Sequence, residues 1–146
     1  MPNQPSEARV REILTTARTI AVLGAHWEPQ KPAYYVPEYM RSQGSRILSV
    51  NPVAVGRELF GELVKGTLAE LDVAVDVVDV FRRAELLPGH TDDILAMKPL
   101  PRVVWFQLGI RNDAVADALE RGGIEVVQDR CMLADHRRFG LPPLGR

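Results

Sequence analysis

Two patterns of hydrophobic and polar positions alternate along the chain, and they predict different elements. Short runs rich in Val and Ile, bounded by Gly, Pro, Asn or Asp, are typical of β-strands. Several of these runs are apolar at nearly every position, which indicates strands that are covered on both faces of a sheet. The predicted strands are Thr19–Gly24, Arg46–Val50, Val75–Phe81, Arg102–Gln107 and Ile124–Gln128.

Segments with helix signals lie between the predicted strands. Ser6 and Thr91 are suitable N-caps, and so is Asn112 or Asp113, because a short polar side chain can accept a hydrogen bond from the first turn. The predicted helices are Ser6–Ala17, Tyr34–Gln43 with Pro37 near its start, Thr91 to about Met97, Asp113–Arg121 and Met132–Arg138.

The alternation of strands and helices predicts the fold class. Strands that alternate with helices at this spacing pair in parallel through right-handed crossovers. We therefore expect an α/β protein with a Rossmann-like, doubly wound sheet of about five parallel strands. No internal repeat or composition shift divides the chain, so one domain is expected over 1–146, with its core at about 17–138. Gly56–Leu71 is predicted as a loop with a short helix, and the tail 139–146 as a surface strap or a frayed end.

Composition and charge narrow the classes of function. The 146 residues are 46% hydrophobic and 25% charged, with a formal net charge of -1, so nucleic acid is not an expected partner. Cys131 is the one cysteine and cannot form an internal disulfide. No apolar run approaches the roughly 20 residues of a membrane span. The polar start MPNQPSEARVRE lacks the apolar segment of a signal peptide, so a cytoplasmic protein away from the membrane is expected.

The loop after the first strand is the first candidate site, because ligands of open α/β sheets bind outside the carboxyl ends of the strands. This loop begins at Gly24 and holds no second glycine, so it lacks the G-x-G-x-x-G turn of a dinucleotide site. A longer loop before a helix can still hold a phosphate through backbone N–H groups. Lys31 would add a positive charge. An ordinary loop with one solvated lysine is the alternative.

The ends of the second and third strands carry polar side chains with two interpretations each. Asn51-Pro52 is typical of a turn, and Asn51 could instead contact a ribose or a phosphate. Arg82 and Arg83 could pair with phosphate oxygens or could be solvated surface residues. Phe81 could cover a flat base or pack in the core.

The last two strand ends add an amide, a glycine and a thiol. Gln107 offers a donor and an acceptor, and Gly109 would let a ligand approach the backbone. Trp105 and Phe106 would point to opposite faces of this strand, and one or both are expected in the core. Cys131 is either an inert buried cysteine or a thiol that Arg130 shifts toward the thiolate.

Motifs for catalysis or metal binding are absent from the sequence. The three histidines have no H-E-x-x-H or H-x-x-E-H spacing, and neither G-x-S-x-G nor a Walker A phosphate loop is present. One cysteine with scattered histidines does not form a metal site. The sequence therefore predicts binding more strongly than catalysis.

Taken together, the strand ends resemble the CoA-binding domain family. These are small stand-alone proteins related to the nucleotide-binding domain of the succinyl-CoA synthetase alpha subunit. The resemblance runs from about Thr19 to Cys131 and rests on IAVLGAHWEPQKPAYYVPEYMRSQG, ILSVNPVAVGRELFG, VDVVDVFRR and VVWFQLGIRNDAVADALERGGIEVVQDRC. The combination of V-N-P, V-D-V-F-R and W-x-Q-L-G makes it specific.

The resemblance implies a Rossmann fold that binds coenzyme A. The loop from Gly24 to Lys31, which includes Ala25, His26 and Trp27, would hold the phosphates. The nucleotide cleft would be lined by the ends of the second and third strands and closed by a far wall at the fourth. The residues implied there are Asn51, Pro52, Phe81, Arg82, Gln107 and Gly109.

One departure from the family concerns the position after Gly24. The family has a small hydroxyl residue there and this chain has Ala25, so a side-chain contact to phosphate is lost or moves to His26.

The resemblance also implies a function. We expect binding of coenzyme A or an acyl-CoA without catalysis, because the phosphohistidine of the synthetase belongs to a second domain and this chain ends before such a domain could begin. A nicotinamide-dependent oxidoreductase that uses the same cleft is the alternative. The lone Gly24 and the replacement of an acidic residue by Asn51 disfavour it. Cys131, facing the cleft, could form a mixed disulfide with the CoA thiol. The sequence indicates no particular protein partner.

Overall fold

The computed structural model describes residues 4–144 and has a parallel sheet at its centre. The sheet contains β1 (Thr19–Leu23), β2 (Arg46–Val50), β5 (Val77–Val80), β6 (Val103–Phe106) and β7 (Glu125–Val127), with β3 (Glu58–Leu59) and β4 (Glu62–Leu63) forming a separate hairpin. The α-helices are α1 (Glu7–Thr16), α2 (Pro32–Ser42), α3 (Thr91–Leu95), α4 (Asp113–Arg121) and α5 (Met132–Arg138). Three 3-10 helices span Pro52–Ala54, Leu68–Glu70 and Ala84–His90.

The order of the strands creates a switch point in the middle of the sheet. The order is β2-β1-β5-β6-β7, and every pair is parallel. The chain leaves β1 toward one edge and returns to the other side of β1 at β5. This arrangement confirms the predicted Rossmann-like sheet, and it leaves a crevice outside the carboxyl ends of β1 and β5.

Two apolar layers explain why the strands are hydrophobic on both faces. One layer packs α1, α2 and α5 against side chains such as Val77 and Trp105. The other packs α3 and α4 against Val78 and Phe106. Successive strand residues point to opposite faces, so Trp105 and Phe106 enter different layers, and both are in the core as expected.

Most predicted boundaries of the helices agree with the structure, and the start of α3 does not. Ser6 and Asn112 accept the capping bonds from Arg9 N and Val115 N. Thr91 is not the N-cap of α3, because its hydroxyl donates to Leu87 O within the preceding 3-10 helix. Helix α3 also ends at Leu95, and β5 begins at Val77 rather than Val75.

Pro37 lies inside α2, not near its start, and this has a consequence for the neighbouring loop. The helix begins at Pro32, two residues earlier than predicted. A proline has no N–H to donate to the carbonyl four residues earlier. That carbonyl, Ala33 O, instead accepts from His26 N at 3.2 Å. Pro37 therefore leaves an acceptor that ties the loop after β1 to the helix.

The hairpin β3–β4 was not predicted, because its turn lacks the usual sequence signal. Phe60 and Gly61 have φ angles of 54° and 84°, a pair of positive values that Asn-Gly or Asp-Gly normally supplies. Phe60 is buried, and its ring centroid lies 5.4 Å from that of Tyr34. Burial of this ring stabilises a turn that local propensity disfavours. The short helix expected in this region is the 3-10 helix Leu68–Glu70.

The tail packs against the body of the protein as far as the structure describes it. Leu141 is buried in the first layer, and Leu144 N donates to Gln43 O at 2.7 Å. These contacts favour a strap over a frayed end. Gly145 and Arg146, like Met1–Asn3 of the polar N-terminus, lie outside the described residues. Within 4–144, no helix is long and apolar enough to span a bilayer.

Candidate functional site

Two adjoining cavities open at the carboxyl ends of the parallel strands. The larger has a volume of about 600 Å³ and is bordered by the loops after β1, β5, β6 and β7. The smaller, of about 250 Å³, lies at the end of β2. Both are lined by Gly24 and Arg82, which follow the two strands on either side of the switch point. The cavities therefore meet at the crevice where the topology favours a ligand.

Gly24 brings the ends of β1 and β5 close together. Its φ is +92°, and a Cβ atom there would lie 2.8 Å from Phe81 O. Its N–H donates to Val50 O at 2.8 Å, so the backbone is also held by β2. A residue with a side chain would be strained here and would also narrow the junction of the two cavities.

The loop that follows Gly24 is ordered by its own side chains. His26 Nδ1 accepts from Glu28 N at 3.0 Å, and the imidazole stacks on Trp27 with centroids 4.3 Å apart. The Arg57 guanidinium also lies over the indole, 4.3 Å from the Trp27 centroid. Because Nδ1 is an acceptor, the proton of neutral His26 is on Nε2, and His26 lines the larger cavity.

Lys31 stands at the N-cap position of α2 and makes no side-chain capping bond. It is exposed and lines the larger cavity, and its ammonium has no hydrogen bond or ion pair with another residue of the described chain. The start of α2 and the Lys31 ammonium therefore place positive charge on the wall of the larger cavity.

Asn51 uses both ends of its side chain within the protein. Its oxygen accepts from Val53 N at 3.0 Å, which confirms the predicted turn, and its nitrogen donates to Ala25 O at 2.9 Å. Asn51 thereby links the ends of β1 and β2. It also lines the smaller cavity together with Pro52.

Arg82 is half-buried between the two cavities and is oriented by a histidine. Its Nε donates to His90 Nε2 at 3.4 Å. Burial and the nearby Arg82 charge lower the pKa of His90, and the Asp93 charge opposes this shift. His90 is therefore neutral at pH 7 and accepts from the guanidinium.

The neighbours of Arg82 in the sequence have different roles. Phe81 packs against the core and also lines the larger cavity. It can therefore serve the core and contact a ligand. Arg83 lines the larger cavity as well, but its guanidinium is exposed and pairs with Glu85 at 3.4 Å. Arg82 is therefore the arginine that is held at the junction.

The far wall of the larger cavity is formed by the loops after β6 and β7. Gln107 is 4% exposed, and its oxygen accepts from Met132 N at 3.3 Å. Gly109 N donates to the Asp129 carboxylate at 2.7 Å, and Asp129 N donates to Ile110 O at 3.1 Å. These bonds hold the two loops together.

Cys131 is not the fully buried cysteine that residue frequencies favour. It is half-buried and lines the larger cavity. The positive charge of Arg130 is already paired, because its guanidinium bonds the buried Asp135 carboxylate at 2.7 Å and 3.0 Å. The hydrogen bond to Asp135 also raises the pKa of Arg130.

Most of the residues predicted from the sequence border the cavities, and two do not. Ala25 is buried and Trp27 packs in the loop, and neither lines a cavity. Sequence reasoning missed the other side of the smaller cavity, which is built by Thr67, His90 and Asp93. A signal for one of them exists, because Thr67 and Glu70 form a capping box after Gly66. His90 has no such signal, since the 3-10 helix Ala84–His90 before α3 carries it to the site.

The chemistry of the site favours a long ligand with an anionic middle. Arg82 lies at the junction, Lys31 and His26 line the larger cavity, and apolar side chains border the same cavity. Among residues 4–144, no group of three or more His, Cys, Asp or Glu side chains is arranged to hold a metal ion.

Comparisons with known proteins identify a family and several similar chains. Residues 18–137 match the family described as CoA binding domain. The chain is 34% identical over 132 residues to the uncharacterized protein YneT of Bacillus subtilis, covering 90% of this chain and 95% of YneT. It is similar to the structure of the cell-free protein ID.343 of Thermus thermophilus, with a TM-score of 0.87, 46% identity, and coverage of 92% and 98% of the two chains.

A more distant likeness concerns the fold alone. The dinucleotide-forming acetyl-coenzyme A synthetase 1 of Ca. Korarchaeum cryptofilum is 20% identical, with a TM-score of 0.63. The match covers 79% of this chain and 26% of the synthetase.

Proposed function

Because the chain belongs to the CoA binding domain family, we propose that it binds coenzyme A or an acyl-CoA in the two cavities described above. The arrangement of the two cavities is the main structural support for this proposal. Two cavities of different character meet at Gly24 and Arg82, and together they extend across the carboxyl ends of the sheet. Coenzyme A likewise has two unlike arms that meet at a pyrophosphate.

The pyrophosphate belongs at the junction of the cavities. Gly24 leaves room for a close approach, and Lys31 and Arg82 supply positive charge. At the start of α2, Pro32 has no N–H and the Tyr34 N–H donates to Lys31 O, so the Ala33 N–H on the wall of the larger cavity is the backbone donor left for a phosphate. The His26 Nε2–H group is a further donor. It would take the place of the hydroxyl that the family carries at the position of Ala25.

The adenosine arm belongs in the smaller cavity. In doubly wound sheets the ribose lies near the end of the second strand, which here carries Asn51 and Pro52. Both polar atoms of Asn51 already bond the backbone, so this residue shapes the cavity wall. Thr67 and Leu68 close the opposite side.

The pantetheine arm belongs in the larger cavity. Tyr35 and Leu108 border it and are 44% and 69% exposed. An arm that carries methyl and methylene groups would cover them and remove apolar surface from water.

We infer binding without chemistry as the second part of the proposal. Several polar side chains that line the cavities hold backbone atoms or one another, as Asn51, Gln107 and the Arg82–His90 pair do. Among the described residues, these contacts include no nucleophile–base pair. The family and the relatives named above give no support to the alternative of a nicotinamide-dependent oxidoreductase.

Isothermal titration of the full chain with coenzyme A tests the proposal. We expect saturable binding of coenzyme A and no heat with NADH at the same concentrations. Incubation with acetyl-CoA, followed by chromatography, should return the thioester intact. A flat titration with coenzyme A, or turnover of either ligand, would contradict the proposal.

A further inference from the structure

Cys131 stands at the far end of the proposed coenzyme A site. It follows β7, which is separated from β1 by β5 and β6 in the sheet. Three spacings of about 4.8 Å place the end of β7 about 14 Å from the end of β1. The side chain is half-buried and lines the larger cavity. Cys131 is therefore accessible from the larger cavity, at the side of the sheet away from the Gly24–Arg82 junction.

The backbone around Cys131 is held in place on both sides. Arg130 N donates to Phe106 O at 3.4 Å, and Met132 N donates to the Gln107 side-chain oxygen at 3.3 Å. The Trp105 indole N–H also donates to Arg130 O at 2.8 Å. These bonds anchor the segment to β6 and keep the thiol at the cavity wall.

Gln107 provides an independent sign of a ligand beside the thiol. Met132 N is a donor, so the Gln107 atom facing it is the amide oxygen, and the amide nitrogen is the remaining polar atom. Within residues 4–144 this nitrogen has no acceptor, although Gln107 is 4% exposed and lines the larger cavity. Because Gln107 lines the cavity, this donor is open to a ligand there, and a ligand with a carbonyl oxygen can accept from it.

The pantetheine arm has the matching chemistry and length. It carries two amide carbonyls and ends in a thiol. Its backbone corresponds to about four extended peptide residues, which span about 14 Å. An arm that starts at the Gly24–Arg82 junction therefore passes Gln107 and ends near Cys131.

We propose that Cys131 is a site of reversible modification by coenzyme A through thiol–disulfide exchange. This inference rests on the proposed binding of coenzyme A, and it assigns the Gln107 amide to a pantetheine carbonyl. The co-reactant is coenzyme A disulfide. The Cys131 thiolate attacks one sulfur, a bond forms between Sγ and that sulfur, and the bond between the two coenzyme A sulfurs breaks. The second coenzyme A leaves as a thiolate and takes up the proton lost by Cys131, with no net oxidation.

Intact-mass spectrometry under non-reducing conditions tests this site. The full chain is incubated with coenzyme A disulfide and, separately, with glutathione disulfide. We expect one coenzyme A adduct at Cys131, formed roughly tenfold or more faster than the glutathione adduct, because the cavity positions the reacting sulfur. Desulfo-coenzyme A, which occupies the site without a thiol, should slow the reaction with coenzyme A disulfide.

Two variants serve as controls. Cys131→Ser should give no adduct. Adding Ala134→Cys to that variant places a thiol at an exposed position on α5, where both disulfides should react at similar rates. Gln107→Glu keeps the acceptor for Met132 N and removes the unpaired donor, so it should slow exchange with coenzyme A disulfide more than with glutathione disulfide.

Calorimetry with coenzyme A distinguishes failure of binding from failure of the modification at Cys131. If the wild-type protein binds coenzyme A but forms no adduct, or reacts equally fast with both disulfides, the modification site is overturned and the binding proposal stands. If the wild-type protein does not bind coenzyme A, both are overturned. A preference for coenzyme A disulfide that desulfo-coenzyme A abolishes supports both.

Discussion

Gly24 is the residue on which the proposed site depends most. Its φ is +92°, and an added Cβ atom would lie only 2.8 Å from Phe81 O. We therefore expect Gly24→Ala to lower the free energy of unfolding by about 2 kcal/mol or more. The extra methyl group also enters the junction of the cavities, so the affinity for coenzyme A should fall. Chemical denaturation and calorimetry measure the two effects.

Gly89→Ala is the matched control for this glycine. A Cβ at Gly89 meets nothing within 4 Å, and the backbone there is not left-handed. Its free energy of unfolding should stay within about 0.5 kcal/mol of wild type. Equal stability of the two variants would show that the strain at Gly24 is absent.

A substitution of Lys31 tests whether its positive charge contributes to the binding of the coenzyme A phosphates. Loss of one charge-assisted contact to phosphate costs about 1 kcal/mol at an exposed position, so Lys31→Ala should bind coenzyme A about fivefold more weakly. Lys98→Ala removes another lysine, one that lines neither cavity, and should leave the affinity unchanged. An equal effect of both substitutions would point to net charge instead of a local contact.

Single residues were predictable from the sequence where they follow a strand directly. Gly24, Arg82, Gln107 and Cys131 belong to this group, because a parallel sheet brings the carboxyl ends of its strands to one edge. His90 and Thr67 were not predictable in the same way. Each is carried to the smaller cavity by a short 3-10 helix, His90 at the end of one and Thr67 at the N-cap of another, and not by the end of a strand.

At the scale of elements, β5 contains a buried carboxylic acid, which an apolar strand pattern does not predict. Asp79 interrupts an otherwise apolar strand and is buried between Val22 of β1 and Trp105 of β6. Within the described chain, its Oδ1 has no hydrogen-bond partner. Burial raises the pKa of this carboxyl well above its ordinary value of 3.8.

This burial predicts a pH-dependent stability. The folded protein binds the Asp79 proton more tightly than the unfolded chain does, so stability falls as the pH rises from the ordinary carboxyl value through the raised pKa. Asp79→Asn keeps the shape and removes the charge. We expect this variant to be more stable than wild type at about pH 8, with a difference that shrinks toward about pH 4. Urea denaturation across this range measures it, and a difference that does not change with pH would contradict the assignment.

Elements with strong periodicity were predictable, whereas those set by distant contacts were not. The strands β1 and β2 and the helix α4 agree with their sequence patterns within a residue. The hairpin β3–β4 escaped prediction because burial of Phe60 outweighs the poor turn propensity of Phe-Gly. The sequence predicts Pro37 near the helix start because an interior proline is normally disfavoured. Here its cost is offset, since Ala33 O accepts from His26 N.

At the scale of the whole molecule, the two cavities act as parts of one site. Adenosine 3′,5′-bisphosphate should occupy the smaller cavity and pantetheine the larger, and each should compete with coenzyme A. Linking the two halves should make coenzyme A bind at least about 10²-fold more tightly than either fragment. Competition calorimetry measures these affinities. Bisphosphate binding as tight as that of coenzyme A would mean that the larger cavity contributes nothing.

A crystal structure of the protein grown with coenzyme A would show directly whether the two cavities form one coenzyme A site. We expect one coenzyme A per chain, with its pyrophosphate between Gly24, Lys31 and Arg82, its adenine beside Asn51 and Thr67, and its pantetheine arm passing Gln107. A coenzyme A molecule bound elsewhere, or both cavities empty in crystals grown at saturating coenzyme A, would contradict it.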